Sequence, residues 1–370
     1  MPYQQELNTS SRVLMGPGPS NVHPRVLKAM ATPLVGHLDP EFIAIMDEIK
    51  EMLQLTFQTQ NQLTFTVSAP GSAGMETCLV NLLEPGDEAL VCINGVFGSR
   101  MADIVGRCGA RLTQVHAPWG EPINPQLLKD ALETCSPKIV AIVHAETSTG
   151  VLQPLEEISK LVHDAGAMLV VDAVTSFCGV DLKVDDWGID AIYTGTQKCL
   201  SAPPGLSPVS FSQKAVETIL NRKSKVQSWF LDLSMVMNYW SGAKRAYHHT
   251  APVSAIYALR ESLRLVLEEG LEARFKRHKA NHELLKTGLE ELGFEFLVKP
   301  EYRLPQLNAV KLPEGLNDAE IRGRLLHEYN IEVGAGLGEF AGKIWRIGLM
   351  GESSQPNFVN SLLSALKTIL

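Results

Sequence analysis

The chain has 370 residues, 45% of them hydrophobic and 20% charged, a balance that excludes wholesale disorder and leaves room for two or three domains of roughly 150 residues. Thirty-three Lys and Arg against 41 Asp and Glu give a net charge of −8, which argues against a nucleic-acid binder. Apolar runs such as 139–143 and 167–171 fall far short of the roughly 20 residues that cross a bilayer, and no secretory or retention signal is present, so a soluble cytoplasmic protein without a membrane partner is expected.

In chain order, 63–68 reads as a strand that meets the glycine-containing run 69–74, after which 75–83 reads as a helix. A turn at 84–87 leads to a strand at 88–93, a helix at 97–108, an extended stretch at 111–116 and a helix at 125–135. A strand at 138–144, a helix at 154–165 and strands at 168–172, 189–194 and 206–211 follow. Strands rich in Val, Ile and Leu, spaced by helices, predict a mostly parallel sheet buried on both faces, an α/β fold. Beyond Pro252 two long amphipathic helices, 253–267 and 271–292, are separated by Gly270. A mixture of strands (294–298, 307–311, 331–333, 344–347) and helices (318–329 and the C-terminus) completes a smaller α+β domain. The expected division is an arm over 1–22, a large domain over 23–268 and a small domain over 269–370.

The six cysteines, Cys78, Cys92, Cys108, Cys135, Cys178 and Cys199, form no CxxC pair and sit mostly in apolar segments, so buried reduced thiols are expected. His278 and His282 have metal-binding spacing, but they lie in a strongly charged run with no third ligand apparent; a solvated helix face is predicted and no metal.

Three segments carry chemistry. Tyr193-Thr194-Gly195-Thr196-Gln197-Lys198 ends a strand and presents a single lysine at the carboxyl edge of the predicted sheet, where open α/β folds bind ligands. Taken alone, Lys198 is equally readable as a solvated surface lysine. Asp172 closes the apolar strand Leu169-Val170-Val171, a costly place for a charge without a partner. It reads either as a helix N-cap or as the carboxylate partner of a pyridinium nitrogen. Ala69-Pro70-Gly71-Ser72-Ala73-Gly74 lies between strand and helix and suits an anion, such as phosphate, at a helix N-terminus. Neither a GxGxxG dinucleotide fingerprint nor a GxxxxGK[ST] loop is present.

With these segments in order, the sequence resembles the class V, fold-type I pyridoxal-phosphate (PLP) aminotransferases, most closely their alanine–glyoxylate (serine–pyruvate) branch. The resemblance rests on GPGPSN (16–21), MDEIKE (46–51), LLEPGDEALV (82–91), NGVFGSR (94–100), ETSTGVLQPL (146–155), VVDAV (170–174), GTQKCLSAPPG (195–205), YHHT (247–250), LRESL (259–263) and WRIGLMG (345–351), which span nearly the whole chain. It implies a large domain built on a mostly parallel seven-stranded sheet, and ping-pong transfer of an amino group from an amino acid to a 2-oxo acid. Lys198 would form the internal aldimine with pyridoxal 5'-phosphate, and Asp172 would keep the ring nitrogen protonated. Gly71, Ser72 and Gln197 would hold the phosphate, Thr147 would bond the ring hydroxyl, and Phe97 would stack on the ring, where many members carry Trp. Tyr247 and Thr250 would reach the phosphate site of a neighbouring subunit, making the site shared in a homodimer. Arg346 would clamp the substrate carboxylate.

Serine and aminoethylphosphonate donors rival alanine, because an arginine clamp does not tell alanine from serine. A cysteine desulfurase shares the fold but needs a reactive cysteine on a mobile loop, and Cys199 directly after Lys198 is badly placed for that. A non-catalytic binding module of the same fold would not need lysine, carboxylate, phosphate loop and arginine together.

Overall fold

The computed structural model describes residues 6–241 and 245–370. β1 (Val13–Met15) leads to α1 (Pro24–Met30) and α2 (Pro40–Phe57), whose starts carry proline in the first turn and side-chain caps from His23 and Asp39. β2 (Leu63–Val67), α3 (Gly71–Leu82), β3 (Glu88–Ile93), α4 (Val96–Arg107), β4 (Arg111–His116), α5 (Pro125–Leu132) and β5 (Ile139–Val143) then alternate. A hairpin of β6 (Ala145–Glu146) and β7 (Val151–Leu152) precedes α6 (Glu156–Asp164), β8 (Met168–Asp172), β9 (Ala191–Tyr193), β10 (Ser207–Phe211), α7 (Gln213–Leu220) and α8 (Leu233–Trp240).

One seven-stranded sheet takes the order β2-β10-β9-β8-β5-β3-β4, parallel except that β10 runs against both neighbours. β5 and β8 are buried along their whole length, as continuous apolar strands in the middle of a helix-covered sheet must be. β4, at the edge, alternates more freely with solvent. This is the α/β architecture the sequence predicts. Because consecutive parallel strands end on the same edge, Asp172 at the end of β8 and Tyr193 at the end of β9 face each other in register.

α9 (Val253–Glu269) and α10 (Leu271–Glu291) meet at Gly270, whose φ of 81° suits glycine. β11 (Glu295–Phe296), β12 (Leu307–Lys311), α11 (Asp318–Glu328), β13 (Ile331–Ala335), β14 (Ile344–Gly348) and α12 (Pro356–Ile369) follow. Their sheet has the order β1-β13-β14-β12-β11, so N-terminal β1 is its edge strand, parallel to β13. One apolar core packs around the large sheet, and a second gathers Met15, Leu285, Trp345 and Leu366. Residues 16–21 therefore bridge from the small sheet to the rim of the large one. Among the described residues no helix is long and apolar enough to cross a membrane.

Two expectations need correction. α3 starts at Gly71 rather than near residue 75, so the glycine-containing run is itself the first turn of the helix. His278 and His282 do not face solvent; both rings are buried on α10. His278 donates from Nδ1 to the Arg274 carbonyl at 2.7 Å and accepts at Nε2 from the Gly351 amide at 3.0 Å, while His282 meets Asn308 Oδ1 at 2.5 Å. The charged run misleads because its arginines turn inward to partners on other segments. Among the described residues no cluster of three His, Cys, Asp or Glu could hold a metal.

Candidate active site

Asp172 is the last residue of β8 and only 2% exposed. Its Oδ1 accepts from the Val174 amide and its Oδ2 from the Tyr193 hydroxyl, both at 2.8 Å. Burial pushes its carboxyl up to about 7 against the pull of those two bonds. Lys198 follows β9 on a turn held by Ser20, whose amide donates to the Gln197 carbonyl at 2.9 Å and whose hydroxyl donates to the Lys198 carbonyl at 2.7 Å. The lysine is 7% exposed, and its Nζ donates to the Pro17 carbonyl. Burial, with repulsion from Arg346 second, lowers its ammonium to about 8. Gly18 has φ of 106°, and a Cβ there would stand 2.8 Å from Lys198 Nζ, so the arm passes over this amine only as glycine.

α3 aims its N-terminus at the same place. Pro70 caps it without any side-chain hydrogen bond; the Ala73 amide donates to the Pro70 carbonyl at 2.7 Å, which leaves the Gly71 and Ser72 amides at the helix start for a ligand. Gly71, Ser72, Phe97, Asp172, Gln197 and Lys198 line one cavity of about 160 Å³. The structure thus brings six of the residues singled out from sequence around one space.

Arg346 lies on β14, mostly buried, and reaches across from the small sheet. Its Nε donates to the Ala335 carbonyl at 2.8 Å and its Nη1 to the Thr147 carbonyl at 3.1 Å. Burial lowers its guanidinium to about 10, and no carboxylate pairs with it among the described residues. Thr147 sits on the turn between β6 and β7, its Oγ1 2.5 Å from that of Thr175. Tyr247 and Thr250 are not brought to the cavity of their own chain; Tyr247 is 62% exposed and its ring centroid lies 5.2 Å from that of His37.

Three further residues at the site carry no signal of their own in the sequence. Tyr193 fixes the Asp172 carboxylate, and Arg100 lines the cavity with Nη1 3.1 Å from Ser72 Oγ. Glu146 is fully buried below the start of α4, its Oε1 accepting from the Ser148 amide at 3.0 Å and hydroxyl at 2.5 Å. A Cβ on Gly95 would come within 2.4 Å of the Glu146 carboxyl, so that glycine lets the acid tuck under the helix. All three belong to segments already quoted, YTGTQK, NGVFGSR and ETSTGVLQPL, but none breaks a local rule.

The donor set fits a phosphorylated pyridine aldehyde. It offers a buried amine close to neutrality, a buried carboxylate bonded only to neutral donors, and helix amides free to meet an anion. A thiol nucleophile does not fit: Cys199 is fully buried and burial pushes it to about 11.

The family model for Aminotransferase class-V matches residues 13–343. The chain is 43% identical to the alanine–glyoxylate aminotransferase of Rattus norvegicus, covering 98% of this chain and 89% of the relative. It is 38% identical to the (S)-ureidoglycine–glyoxylate transaminase of Bacillus subtilis (strain 168), over 99% of this chain and 92% of that one. The crystal structure of an alanine–glyoxylate aminotransferase from Nostoc sp. superposes with a TM-score of 0.97 at 48% identity, covering 99% of this chain and 97% of that one.

Proposed function

The chain belongs to the class-V aminotransferase family, and from that premise we propose that it carries the amino group of alanine to glyoxylate, leaving pyruvate and glycine. The observation that carries the reading is the meeting of the Lys198 amine and the Asp172 carboxylate in one cavity, with the unpaired Arg346 close enough to shift the lysine. The substrate pair is drawn from the relatives named for it, which are 43% and 48% identical over almost the whole chain.

Family membership implies pyridoxal 5'-phosphate, which when bound supplies an aldehyde to capture the amino group and a protonated ring to withdraw electrons from the substrate Cα. Asp172 would hold the proton on the ring nitrogen, since a cation opposite it lowers the cost of its buried charge. Lys198, its ammonium lowered to about 8, would be neutral often enough to accept the proton of the substrate Cα. Arg346 grips the substrate carboxylate with its planar fork. The Gly71 amide, the Ser72 hydroxyl and Gln197 would hold the phosphate, Phe97 would face the ring, and Thr147 would bond the ring hydroxyl.

The same reading makes Tyr247 and Thr250 contributions to a partner's site, and hence the protein a homodimer. The exposed Tyr247 and Trp229, 62% and 61%, support a covered face there. It also divides the chain into an arm, a large domain to residue 268 and a small domain beyond, a division supported by the two cores. A cytoplasmic location accords with six cysteines, none in a disulfide.

A donor panel tests the assignment. Alanine, serine, aminoethylphosphonate and (S)-ureidoglycine are offered to the purified protein with glyoxylate or pyruvate as acceptor. Alanine with glyoxylate is expected to give the highest kcat/KM; a higher value for another donor moves the assignment to that substrate, and sulfide release from cysteine replaces the reaction class.

A further inference from the structure

We propose that Arg100 supplies the positive charge that balances the cofactor phosphate, an inference that rests on the pyridoxal-phosphate reading above. A phosphate monoester brings between one and two negative charges to the cavity, and the donors gathered there, the α3 amides, Ser72 and Gln197, are all neutral. Among the described residues, Lys198 and Arg100 are the cationic side chains that line the cavity, and Arg346 stands near enough to act on Lys198. Lys198 is committed to the aldehyde. Arg346 is tied by its Nε and Nη1 to the carbonyls of Ala335 and Thr147, on the side of the small sheet. Arg100 remains.

Its position suits the task. Arg100 lies on α4, whose first turns face the start of α3, and its Nη1 is 3.1 Å from Ser72 Oγ on the uncapped turn. Its Cζ lies 4.9 Å from the centre of the Phe97 ring, which steadies the guanidinium over the aromatic face while leaving N–H donors free. No carboxylate pairs with it among the described residues, although the neighbouring Arg107 on the same helix is paired with Asp103 at 2.7 Å. An arginine that lines a cavity, touches the hydroxyl at a helix N-terminus and lacks an acid is arranged to meet an oxyanion.

The test compares two ligands that differ only by the phosphate. Equilibrium binding of pyridoxal 5'-phosphate and of pyridoxal to the cofactor-free protein is followed by cofactor absorbance, for wild type, Arg100→Gln and Arg100→Lys. A lost charge-assisted contact predicts PLP binding weaker by about 10- to 100-fold in Arg100→Gln, with pyridoxal binding changed by less than about 3-fold. Arg100→Lys keeps the charge and is expected to recover part of the PLP affinity. Equal weakening of both ligands, or no weakening of either, overturns the proposal, the first by exposing a structural role through Phe97. If wild type binds PLP no more tightly than pyridoxal, the cofactor reading itself falls; a failure confined to the Arg100 variants leaves that reading standing.

Discussion

Buried charge is handled in opposite ways on the two sides of the lysine turn. Where α9 meets α10, Glu269 accepts from Arg277 at 2.6 and 2.9 Å and from Arg274 at 2.6 Å. Burial pushes the Glu269 carboxyl up, but the two guanidiniums outweigh it and bring it down to about 2. The same arginines donate to the Cys178 carbonyl at 3.2 Å, to the Cys199 carbonyl, and to the Gly351 and Ser354 carbonyls at 2.9 and 2.7 Å, so paired charge locks the residue after Lys198 to α10 and the 351–354 turn. Asp172 and Lys198 in the cavity, and Arg346 beside it, have only neutral hydrogen-bond partners, and burial moves all three towards the uncharged state. Charges satisfied within the chain build the scaffold; charges left short of partners await them from outside it.

That contrast can be broken by mutation. Lys198→Ala is expected to abolish transamination while the cofactor-free protein keeps its denaturant midpoint or gains, because a buried, poorly compensated ammonium costs stability. Glu269→Gln should do the reverse, costing about 3 kcal/mol in urea unfolding by leaving two guanidiniums short of their acid, with KM for alanine little changed in the protein that remains folded. If Lys198→Ala proves the more destabilising of the two, the division between scaffold and site is wrong. Arg346→Lys sharpens the picture within the cavity. It keeps a charge but loses the fork, and KM for alanine should rise about tenfold while the colour of the bound cofactor stays the same; an unchanged KM removes Arg346 from the carboxylate.

The smallest effect is in the pH dependence, where the carboxylates Glu269 and Asp172 have opposite signs. Glu269 titrates lower in the folded than in the unfolded protein, so its stabilisation is complete above about 4.5 and is lost as pH falls towards about 2. His278, lowered to about 3 by burial and then by the two arginines, adds a loss in the same direction below about 6.5. Asp172 titrates higher when folded, so its contribution is present below about 3.8 and is lost as pH rises through about 7. Urea unfolding of cofactor-free wild type and Asp172→Asn near pH 5 and pH 8 measures this: wild type should lose more stability than the variant on going to the higher pH. Equal losses would mean that Asp172 is compensated inside the chain.

Sequence made the site legible where residues break local rules. A carboxylate ending an apolar strand, a single lysine after small polar residues and glycine before a helix each point to a ligand, and Asp172, Lys198, Gly71 and Ser72 all line the cavity. Arg100 and Tyr193 break no rule. A helix arginine and a strand tyrosine are ordinary until the α3–α4 contact and the β8–β9 register set them beside Ser72 and Asp172. The sheets followed from the alternation of apolar strands and helices, but β1 did not, being three residues long and paired with a strand more than 300 positions away. The burial of α10 was hidden for a related reason: its charges read as solvated because their partners, Glu269 and the carbonyls near 351–354, lie on other segments.

Catalysis by this site requires that the cofactor attach to one particular amine, Lys198. Borohydride reduction of the PLP-loaded protein, followed by peptide mass spectrometry, fixes that attachment permanently. One modified peptide containing Lys198, absent from Lys198→Ala treated in the same way, is the predicted result; the label on a different lysine, with position 198 unmodified, would contradict it.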